Sequence, residues 1–189
     1  MQPSPTHTTA LFVGTFDPFT IGHADIVERT LQLVDKLVIG VGVNPDKHTL
    51  FSSGERLSAI QSLYDDEPRV SVVTYSDLAV DLAKRVGAKF IVRGVRSVKD
   101  FEYERDQAEY NKRLGNVETL LLYADPTLTA VSSSAYRQLI YFQKDASWML
   151  PGKGKNQERR EKREGGRMKN EEGRMKRGSE YCVGTETIK

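Results

Sequence analysis

An α/β protein with a doubly wound, five-stranded parallel sheet is the fold that this sequence predicts. Five short segments are almost continuously apolar and rich in β-branched residues, a pattern typical of strands that are buried on both faces. Amphipathic helical patterns separate these segments, as in the crossover connections between parallel strands. The strands are predicted at residues 10–14, 37–43, 70–75, 90–95 and 119–123.

The helices between the strands are predicted from their apolar faces and their end signals. The first follows the turn at His23, and the second follows Ser52–Glu55, which resembles a capping box. Asp77 is a favoured N-cap residue for the third helix, and Gly87 is a favoured residue at its C-terminal end. The last two helices are predicted at residues 100–114, which are highly charged, and 134–143.

Composition divides the chain of 189 residues into three predicted parts. Residues 1–9 are predicted as a flexible N-terminus, 10–151 as the folded domain, and 152–189 as a charged tail. The tail carries 12 lysines and arginines against 7 glutamates, whereas the rest of the chain carries 16 basic and 19 acidic side chains. Because the tail has few apolar side chains to offset the entropy of ordering, we expect it to be disordered.

A basic tail can also bind nucleic acid, and this alternative predicts salt-sensitive binding that deletion of residues 152–189 abolishes. Two features disfavour it. Acidic residues are interleaved along the tail, and no aromatic residue between Gly152 and Glu180 is present to stack on a base. We therefore expect a solvated tail outside the active site and no nucleic-acid partner.

Several classes of protein are disfavoured by what the sequence lacks. No apolar run reaches about eighteen residues, the length of a membrane span, and the N-terminus carries no signal-peptide pattern. The single cysteine, Cys182, excludes an internal disulfide. Neither a P-loop nor a GxGxxG follows the first strand, and no Ser-His-Asp or Cys-His set indicates a covalent nucleophile. These observations favour a cytoplasmic protein without a membrane partner.

The residues that directly follow each strand carry the strongest signal for function. In open α/β sheets, ligands bind beyond the carboxyl ends of the strands. Basic and hydroxyl side chains outnumber carboxylates in these loops, which favours the binding of an anion. The loops are Gly14–His23, Asn44–Lys47, Ser76–Ala79, Arg93–Arg96 and Ala124–Ser134.

The first of these loops, GTFDPFTIGH, holds more special residues than a simple connection needs. Gly14 is expected to let the backbone turn tightly, so that the hydroxyl and N–H of Thr15 face a ligand. His23 falls at the start of the first helix, where backbone N–H groups and the helix dipole favour a phosphate. The alternative is that Thr20 only caps the helix and His23 is a surface histidine.

Other cations and helix ends converge on the same rim. Arg93 and Arg96 leave the fourth strand together, and two such unpaired guanidiniums either extend into solvent or bind phosphates. Lys47 follows the second strand and adds a third positive charge. Ser132–Ser134 precede the last helix and supply caps and N–H donors at its N-terminus. Together these residues predict a site for several phosphate groups.

These residues stand in the order of a known pair of motifs. Thr20–His23 (TIGH) resembles the T/HxGH signature of the nucleotidyltransferase superfamily, and Val131–Ser134 (VSSS) resembles its second motif, ISSS. The chain resembles bacterial phosphopantetheine adenylyltransferases over residues 10–151, through GTFDPFTIGHADIVERT, the Asn44–Lys47 loop, Ser76–Leu78 and IVRGVRSVKDFEYE at Ile91–Glu104. The resemblance implies the Rossmann-like fold of nucleotidyltransferases.

The resemblance also implies an activity. Such an enzyme transfers the adenylyl group of ATP to 4′-phosphopantetheine, giving dephospho-coenzyme A and pyrophosphate, in coenzyme A biosynthesis. Mg²⁺, held mainly through the ATP phosphates rather than by a metal site of the protein, and a homohexameric assembly are implied with it. His23 is expected to stabilise charge on the α-phosphate, and Lys47 and Arg93 to hold the attacking phosphate.

Further site residues are carried over from the same resemblance. The residues implied to bind ATP are Thr15, Phe16, His23, Gly94, Val95, Arg96, Glu104, Leu128, Thr129, Ala130, Val131, Ser132, Ser133 and Ser134. Those implied to bind phosphopantetheine are Thr15, Lys47, Ala79 and Arg93. The segment Ala124–Ala130 departs from the family pattern, because it lacks the aromatic residue that often precedes the serine motif.

A nucleotidyltransferase of the same fold that acts on nicotinamide mononucleotide or glycerol 3-phosphate is the nearest alternative. The segment RGVRSVKDFEYE disfavours it, because this block matches the phosphopantetheine enzymes. Pyrophosphate release with the three acceptors side by side distinguishes these possibilities.

Overall fold

A computed structural model describes residues 7–152 of the chain. Residues 7–151 belong to one compact unit. Except for Gly152, the predicted tail lies outside the described residues. The expectation that the tail is disordered therefore stays a prediction.

The predicted five-stranded sheet is confirmed, and the strand ends lie within one residue of their predicted positions. The strands are β1 (Thr9–Gly14), β2 (Lys36–Gly42), β3 (Val70–Tyr75), β4 (Phe90–Val95) and β5 (Glu118–Tyr123). All pairs are parallel, in the order β3–β2–β1–β4–β5. The chain winds outward from β1 in both directions, which leaves a crevice at the carboxyl ends of β1 and β4.

Five α-helices connect the strands and close the domain. They are α1 (Ile21–Thr30), α2 (Ser53–Leu63), α3 (Ala79–Val86), α4 (Val98–Gly115) and α5 (Ser133–Tyr141). Two single 3₁₀ turns lie at Pro126–Leu128 and Ser147–Met149. Within residues 7–152, no helix is long and apolar enough to cross a membrane.

The helix-end signals are confirmed at two of three positions. Ser52 and Glu55 form the reciprocal capping box of α2, and Gly87 ends α3 in the left-handed conformation with φ of 66°. The prediction that Asp77 caps α3 is wrong. The helix begins two residues later, and the Asp77 carboxylate instead binds the Arg85 guanidinium at 2.6 Å, one helix length away.

Both faces of the central strand β1 are covered by helices. Phe12 packs with Ile26 of α1 and Ile60 of α2 on one face. Leu11, the preceding residue, packs on the other face with Val80 and Leu82 of α3. Burial on both faces explains the continuous apolar run of β1 in the sequence. It also leaves the carboxyl edge of the sheet as the place where polar side chains meet solvent.

Candidate active site

Two cavities lie side by side at the carboxyl edge of the sheet. The first, which we call the serine cavity, has a volume of about 410 Å³ and is lined by Ser132–Ser134 at the start of α5. The second, the lysine cavity, has a volume of about 440 Å³ and is lined by Lys47 after β2. They share the end of β1 and one arginine of β4, namely Val13, Gly14, Thr15 and Arg93. Both lie at the crevice that the strand order creates.

The structure separates the predicted site residues between these cavities. Those at the serine cavity are Thr15, Phe16, His23, Arg93, Gly94, Arg96, Glu104, Leu128, Val131, Ser132, Ser133 and Ser134. Those at the lysine cavity are Thr15, Lys47, Ala79 and Arg93. Val95, Thr129 and Ala130 line neither cavity, and Val95 is buried in the sheet at 2% exposure. Their predicted contact with a nucleotide has no support from the lining of these cavities.

His23 is a part-buried, neutral hydrogen-bond donor. Its Nδ1 accepts the backbone N–H of Thr20 at 2.9 Å, so the proton of the neutral ring lies on Nε2. Burial, followed by the nearby positive charges of Arg96 and Arg93, lowers the pKa of His23 to about 3. The alternative of a surface histidine is therefore wrong. His23 caps its own helix through one nitrogen and keeps the other N–H for the serine cavity.

The loop after β1 differs from the prediction in how it turns. Gly14 does not adopt a positive φ; the residue that does is Phe16, with φ of 51°. A side chain at Gly14 would meet the Phe16 ring at 2.8 Å, so Gly14 is required for close approach of that ring. The Phe16 ring also packs edge-on against the His23 imidazole, with centroids 5.1 Å apart. The tight turn is therefore made by an aromatic residue that supports His23.

Both arginines of the predicted pair are already bonded to carboxylates of α4. Arg93 donates from Nε and Nη2 to the two oxygens of Glu104, each at 2.6 Å, and from Nη1 to the carbonyl of Val13. Arg96 donates to Asp100, with Nε 3.1 Å from Oδ2. The expectation of two unpaired guanidiniums is wrong. Because a guanidinium has five N–H groups, Arg93 keeps two for a ligand while Glu104 holds its plane.

All three hydroxyls of the serine motif at the start of α5 form hydrogen bonds within the protein. Ser132 caps the helix, since its hydroxyl accepts the N–H of Ala135 at 3.0 Å. Ser133 donates to the carbonyl of Pro18 at 2.9 Å, which ties α5 to the loop after β1. Backbone N–H groups at the start of α5 are thereby directed toward the serine cavity, an arrangement suited to phosphate.

Three polar residues that sequence reasoning missed support this arrangement. Arg137 lines the serine cavity and donates to the carbonyl of Asp17 at 2.6 Å and to Ser134 at 3.2 Å. Asp17, 2% exposed, accepts the N–H groups of Leu50 and Phe51. Arg56 is buried in α2 and bonds to three carbonyl oxygens. The position of Arg137, three residues after Ser134, was a signal in the sequence for a role at the serine cavity. Arg56 gave no such signal, because in the sequence it resembles any arginine on the surface of a helix.

The lysine cavity has a different lining. Lys47 lies on an exposed loop after β2, and Ala79 lies at the start of α3. Its lining also includes Tyr75 from β3 and Gln107 and Asn111 from α4, together with the carboxylate of Asp77. This cavity therefore combines cations with phenol and amide groups.

A metal site made by the protein alone is not seen in the part of the chain that the structure describes. Residues 7–152 contain no group of three or more His, Cys, Asp and Glu side chains placed to hold a metal ion. Three carboxylates line the serine cavity, those of Asp17, Asp100 and Glu104. Each accepts hydrogen bonds from protein donors.

The two cavities together can align two phosphate-bearing molecules. The serine cavity offers three guanidiniums, a neutral imidazole N–H and a helix N-terminus. The lysine cavity offers an ammonium, and Thr15 and Arg93 lie where the cavities meet. Phosphoryl-transfer chemistry needs positioning and charge stabilisation more than a protein nucleophile. The geometry is suited to such a transfer between two bound ligands.

Comparison with known proteins identifies relatives of this chain. Residues 11–139 match a family model described as cytidylyltransferase-like. The chain is 50% identical to the phosphopantetheine adenylyltransferase of Bacteroides fragilis over 142 residues, 75% of this chain and 95% of that protein. It is 51% identical to the protein of the same name from Porphyromonas gingivalis over 142 residues, 75% of this chain and 93% of that protein.

Solved structures show the same fold at low sequence identity. A bifunctional NMN adenylyltransferase/ADP ribose pyrophosphatase from Francisella tularensis aligns with a TM-score of 0.59 and 19% identity. The alignment covers 76% of this chain and 45% of that one. A second structure of that protein, complexed with AMP and a manganese ion, aligns with a TM-score of 0.55.

Proposed function

The chain belongs to the phosphopantetheine adenylyltransferases, within the cytidylyltransferase-like family, and from this premise we propose how its two cavities divide the reaction. The enzyme is a nucleotidyltransferase of coenzyme A biosynthesis. It transfers the adenylyl group of ATP to 4′-phosphopantetheine and releases dephospho-coenzyme A and pyrophosphate. In our proposal ATP binds in the serine cavity and 4′-phosphopantetheine binds in the lysine cavity.

One observation carries this division: the two cavities meet at Thr15 and Arg93. An acceptor phosphate at that junction lies within reach of a nucleotide on one side and of Lys47 on the other. The long neutral remainder of phosphopantetheine, with its amides and hydroxyl, suits the polar wall of Tyr75, Gln107 and Asn111. The triphosphate suits the arginines and helix N-terminus of the serine cavity.

The proposed mechanism is direct in-line displacement. An oxygen of the acceptor phosphate attacks the α-phosphorus of ATP, forming a new P–O bond while the bond to the β-phosphate oxygen breaks. Pyrophosphate leaves with that electron pair. Thr15, Lys47 and Arg93 orient the attacking phosphate, and Arg96 and Ser132–Ser134 orient the nucleotide. No covalent bond to the protein is needed.

His23 is proposed to stabilise the transition state as a donor. In this proposal the neutral imidazole donates a hydrogen bond from Nε2–H to the α-phosphoryl oxygens, where negative charge increases during attack. Because its pKa is lowered to about 3, the ring stays neutral and is not a general acid at neutral pH. The contact is expected to strengthen from ground state to transition state, so it serves turnover more than binding.

Mg²⁺ is proposed as the cofactor, held mainly through the ATP phosphates. Mg²⁺ commonly binds through substrate phosphates, retained waters and one or two carboxylates. The residues fit this mode, because Asp17, Asp100 and Glu104 line the serine cavity but do not form a three-ligand site. When bound, the ion would neutralise charge on the phosphates. The homohexamer and the cytoplasmic location stay predictions from the family resemblance.

Pyrophosphate release from ATP tests the proposed function. The full chain is assayed with 4′-phosphopantetheine, nicotinamide mononucleotide and glycerol 3-phosphate at equal concentration. We expect turnover with 4′-phosphopantetheine at least 10²-fold above the other two. Equal or greater turnover with either alternative acceptor would contradict the proposal, as would release that needs no acceptor.

A further inference from the structure

Arg56 of α2 is a buried arginine that binds main-chain carbonyls of three segments. The residue is 5% exposed. Its Nε donates to the carbonyl of Phe51 at 3.1 Å, and its Nη1 donates to the carbonyls of Gly42, at 3.0 Å, and of Thr15. It lines neither cavity. Its planar fork thus connects the end of β2, the start of α2 and the loop after β1.

The bond to Thr15 controls an unusual peptide. The Thr15 carbonyl belongs to the peptide unit that precedes Phe16, and the orientation of that unit sets the φ of Phe16. That φ is 51°, in the left-handed region, which is unfavourable for a bulky residue. Such a conformation persists only where the surroundings hold it. Arg56 is the side chain that holds the carbonyl end of this peptide.

The same bond decides where the N–H of Phe16 points. In a trans peptide the C=O and N–H groups point in opposite directions. The Thr15 oxygen accepts from Arg56, a side chain that lines neither cavity, so the Phe16 N–H points to the opposite side of the peptide; Phe16 itself lines the serine cavity. We propose that Arg56 is a positioning residue that presents the Phe16 backbone N–H to a phosphate of the bound nucleotide.

The position of Arg56 is itself fixed from a second direction. Arg56 binds the carbonyl of Phe51, and the Asp17 carboxylate accepts the N–H of the same residue at 2.9 Å. The backbone carbonyl of Asp17 in turn accepts a hydrogen bond from the Arg137 guanidinium. The N–H of Phe51 is therefore bound from the loop after β1 and its carbonyl from α2, so the segment before α2 links Arg56 to the loop that Arg56 positions.

The inference rests on the proposed ATP site and requires an arginine. Lysine keeps the charge but concentrates its donors on one tetrahedral nitrogen, which does not reproduce a planar fork across three carbonyls. We therefore expect Arg56→Lys to release the Thr15–Phe16 peptide without removing any cavity-lining side chain. Arg69 provides a matched control, since it also donates to a backbone carbonyl, that of Leu31, but lies at the opposite edge of the sheet.

The wild-type chain offers a direct probe of the peptide. Thr15–Phe16 is the single Thr–Phe pair in the sequence, so carbonyl-¹³C threonine with ¹⁵N phenylalanine gives one doubly labelled amide. Titration with α,β-methylene ATP is expected to move this N–H signal downfield as it bonds to phosphate. Binding of the analogue, measured by calorimetry, with an unmoved signal overturns the inference alone. Failure of the analogue to bind overturns the inference and the ATP site together.

Kinetics of the variants complete the test. For Arg56→Lys we expect kcat to fall roughly 10²-fold, as a small misplacement of a positioned group does, with KM for 4′-phosphopantetheine within about three-fold. Arg69→Lys should keep kcat within about two-fold. A folded Arg56→Lys enzyme, judged by circular dichroism, that keeps wild-type kcat and the downfield shift overturns the inference. If that variant does not fold, the wild-type titration decides.

Discussion

The serine cavity and the lysine cavity hold their cations in different ways. Arg93 and Arg96 in the serine cavity are bonded to carboxylates of α4, and Arg137 binds the loop after β1. Lys47 in the lysine cavity is exposed, and within residues 7–152 it forms no ion pair. The arginines of the serine cavity are therefore all bonded to other parts of the protein, whereas the lysine cavity combines the shared Arg93 with a cation on a long, adaptable side chain.

Because of this difference, the same edge of the sheet can hold its two ligands in different ways. Fixed guanidiniums cost little ordering entropy when a polyphosphate binds, and they leave the α-phosphorus in a defined place. A flexible ammonium loses side-chain entropy when it binds a single phosphate. In our proposal the nucleotide is thus held by preorganised guanidiniums, and the acceptor is held by the shared Arg93 together with a lysine side chain that becomes ordered on binding.

The largest expected effect comes from removing the neutral donor of the serine cavity. His23→Ala should lower kcat by about 10²–10³-fold, roughly 3–4 kcal/mol, because one preorganised donor at the developing charge is lost. Affinity for α,β-methylene ATP should change much less. Pyrophosphate release and calorimetry measure the two quantities. His48→Ala, an exposed histidine that lines neither cavity, is the control. Near-normal turnover in His23→Ala would remove this residue from the mechanism.

A pair of cation variants tests whether the cavities serve separate ligands. Arg96→Ala should raise KM for ATP, and Lys47→Ala should raise KM for 4′-phosphopantetheine, each by about 10- to 150-fold, since a charge-assisted bond contributes roughly 1.5–3 kcal/mol. Arg105→Ala, on the exposed side of α4, and Lys36→Ala, at the amino end of β2, are the matched controls. Equal losses for both substrates in both variants would mean that the cavities act as one electrostatic field.

The lowered pKa of His23 predicts a pH dependence of stability that originates in the serine cavity. Between pH 6.5 and about 3 the unfolded chain binds a proton at His23 and the folded chain does not, so the stability of the fold falls as pH falls. The contribution is roughly 1.4 kcal/mol per pH unit below pH 6.5. Urea unfolding at pH 5.5 and 7.5 should show this extra loss in wild type and not in His23→Gln. Identical pH slopes in the two proteins would show that the folded His23 titrates normally.

The smallest effect is expected from removing the tail. Among residues 7–152, those that line either cavity lie between Phe12 and Arg137, and we expect a chain that ends at Gly152 to keep adenylyl transfer within a few-fold of the full chain. We also expect limited proteolysis to cleave within residues 153–189 first, a segment outside the described residues. Loss of activity or assembly on truncation would assign the tail a role in one of the cavities or in an interface.

The fold was predictable from the sequence to within a residue at each strand. Strands such as β1 and β4 are buried on both faces, and their continuous apolar runs in the sequence indicate this burial. Because the carboxyl ends of parallel strands meet at one edge, the sequence also predicted which residues meet there. Thr15, His23, Lys47 and Arg93 each line one or both of the cavities, and their roles in binding and catalysis stay predictions.

Other features depend on contacts between residues far apart in sequence, and only the tertiary structure decided them. Arg93 looked unpaired until folding placed Glu104 beside it, and Asp77 looked like a cap until Arg85 approached it. Arg56 carries no local signal, because its three acceptors are backbone carbonyls that any sequence provides. The sequence by itself determined which chemical groups reach the edge of the sheet, since burial and periodicity are local properties. The tertiary structure decided which of those groups are neutral, paired or aimed at a ligand, since charge pairing and desolvation depend on the distances that folding creates.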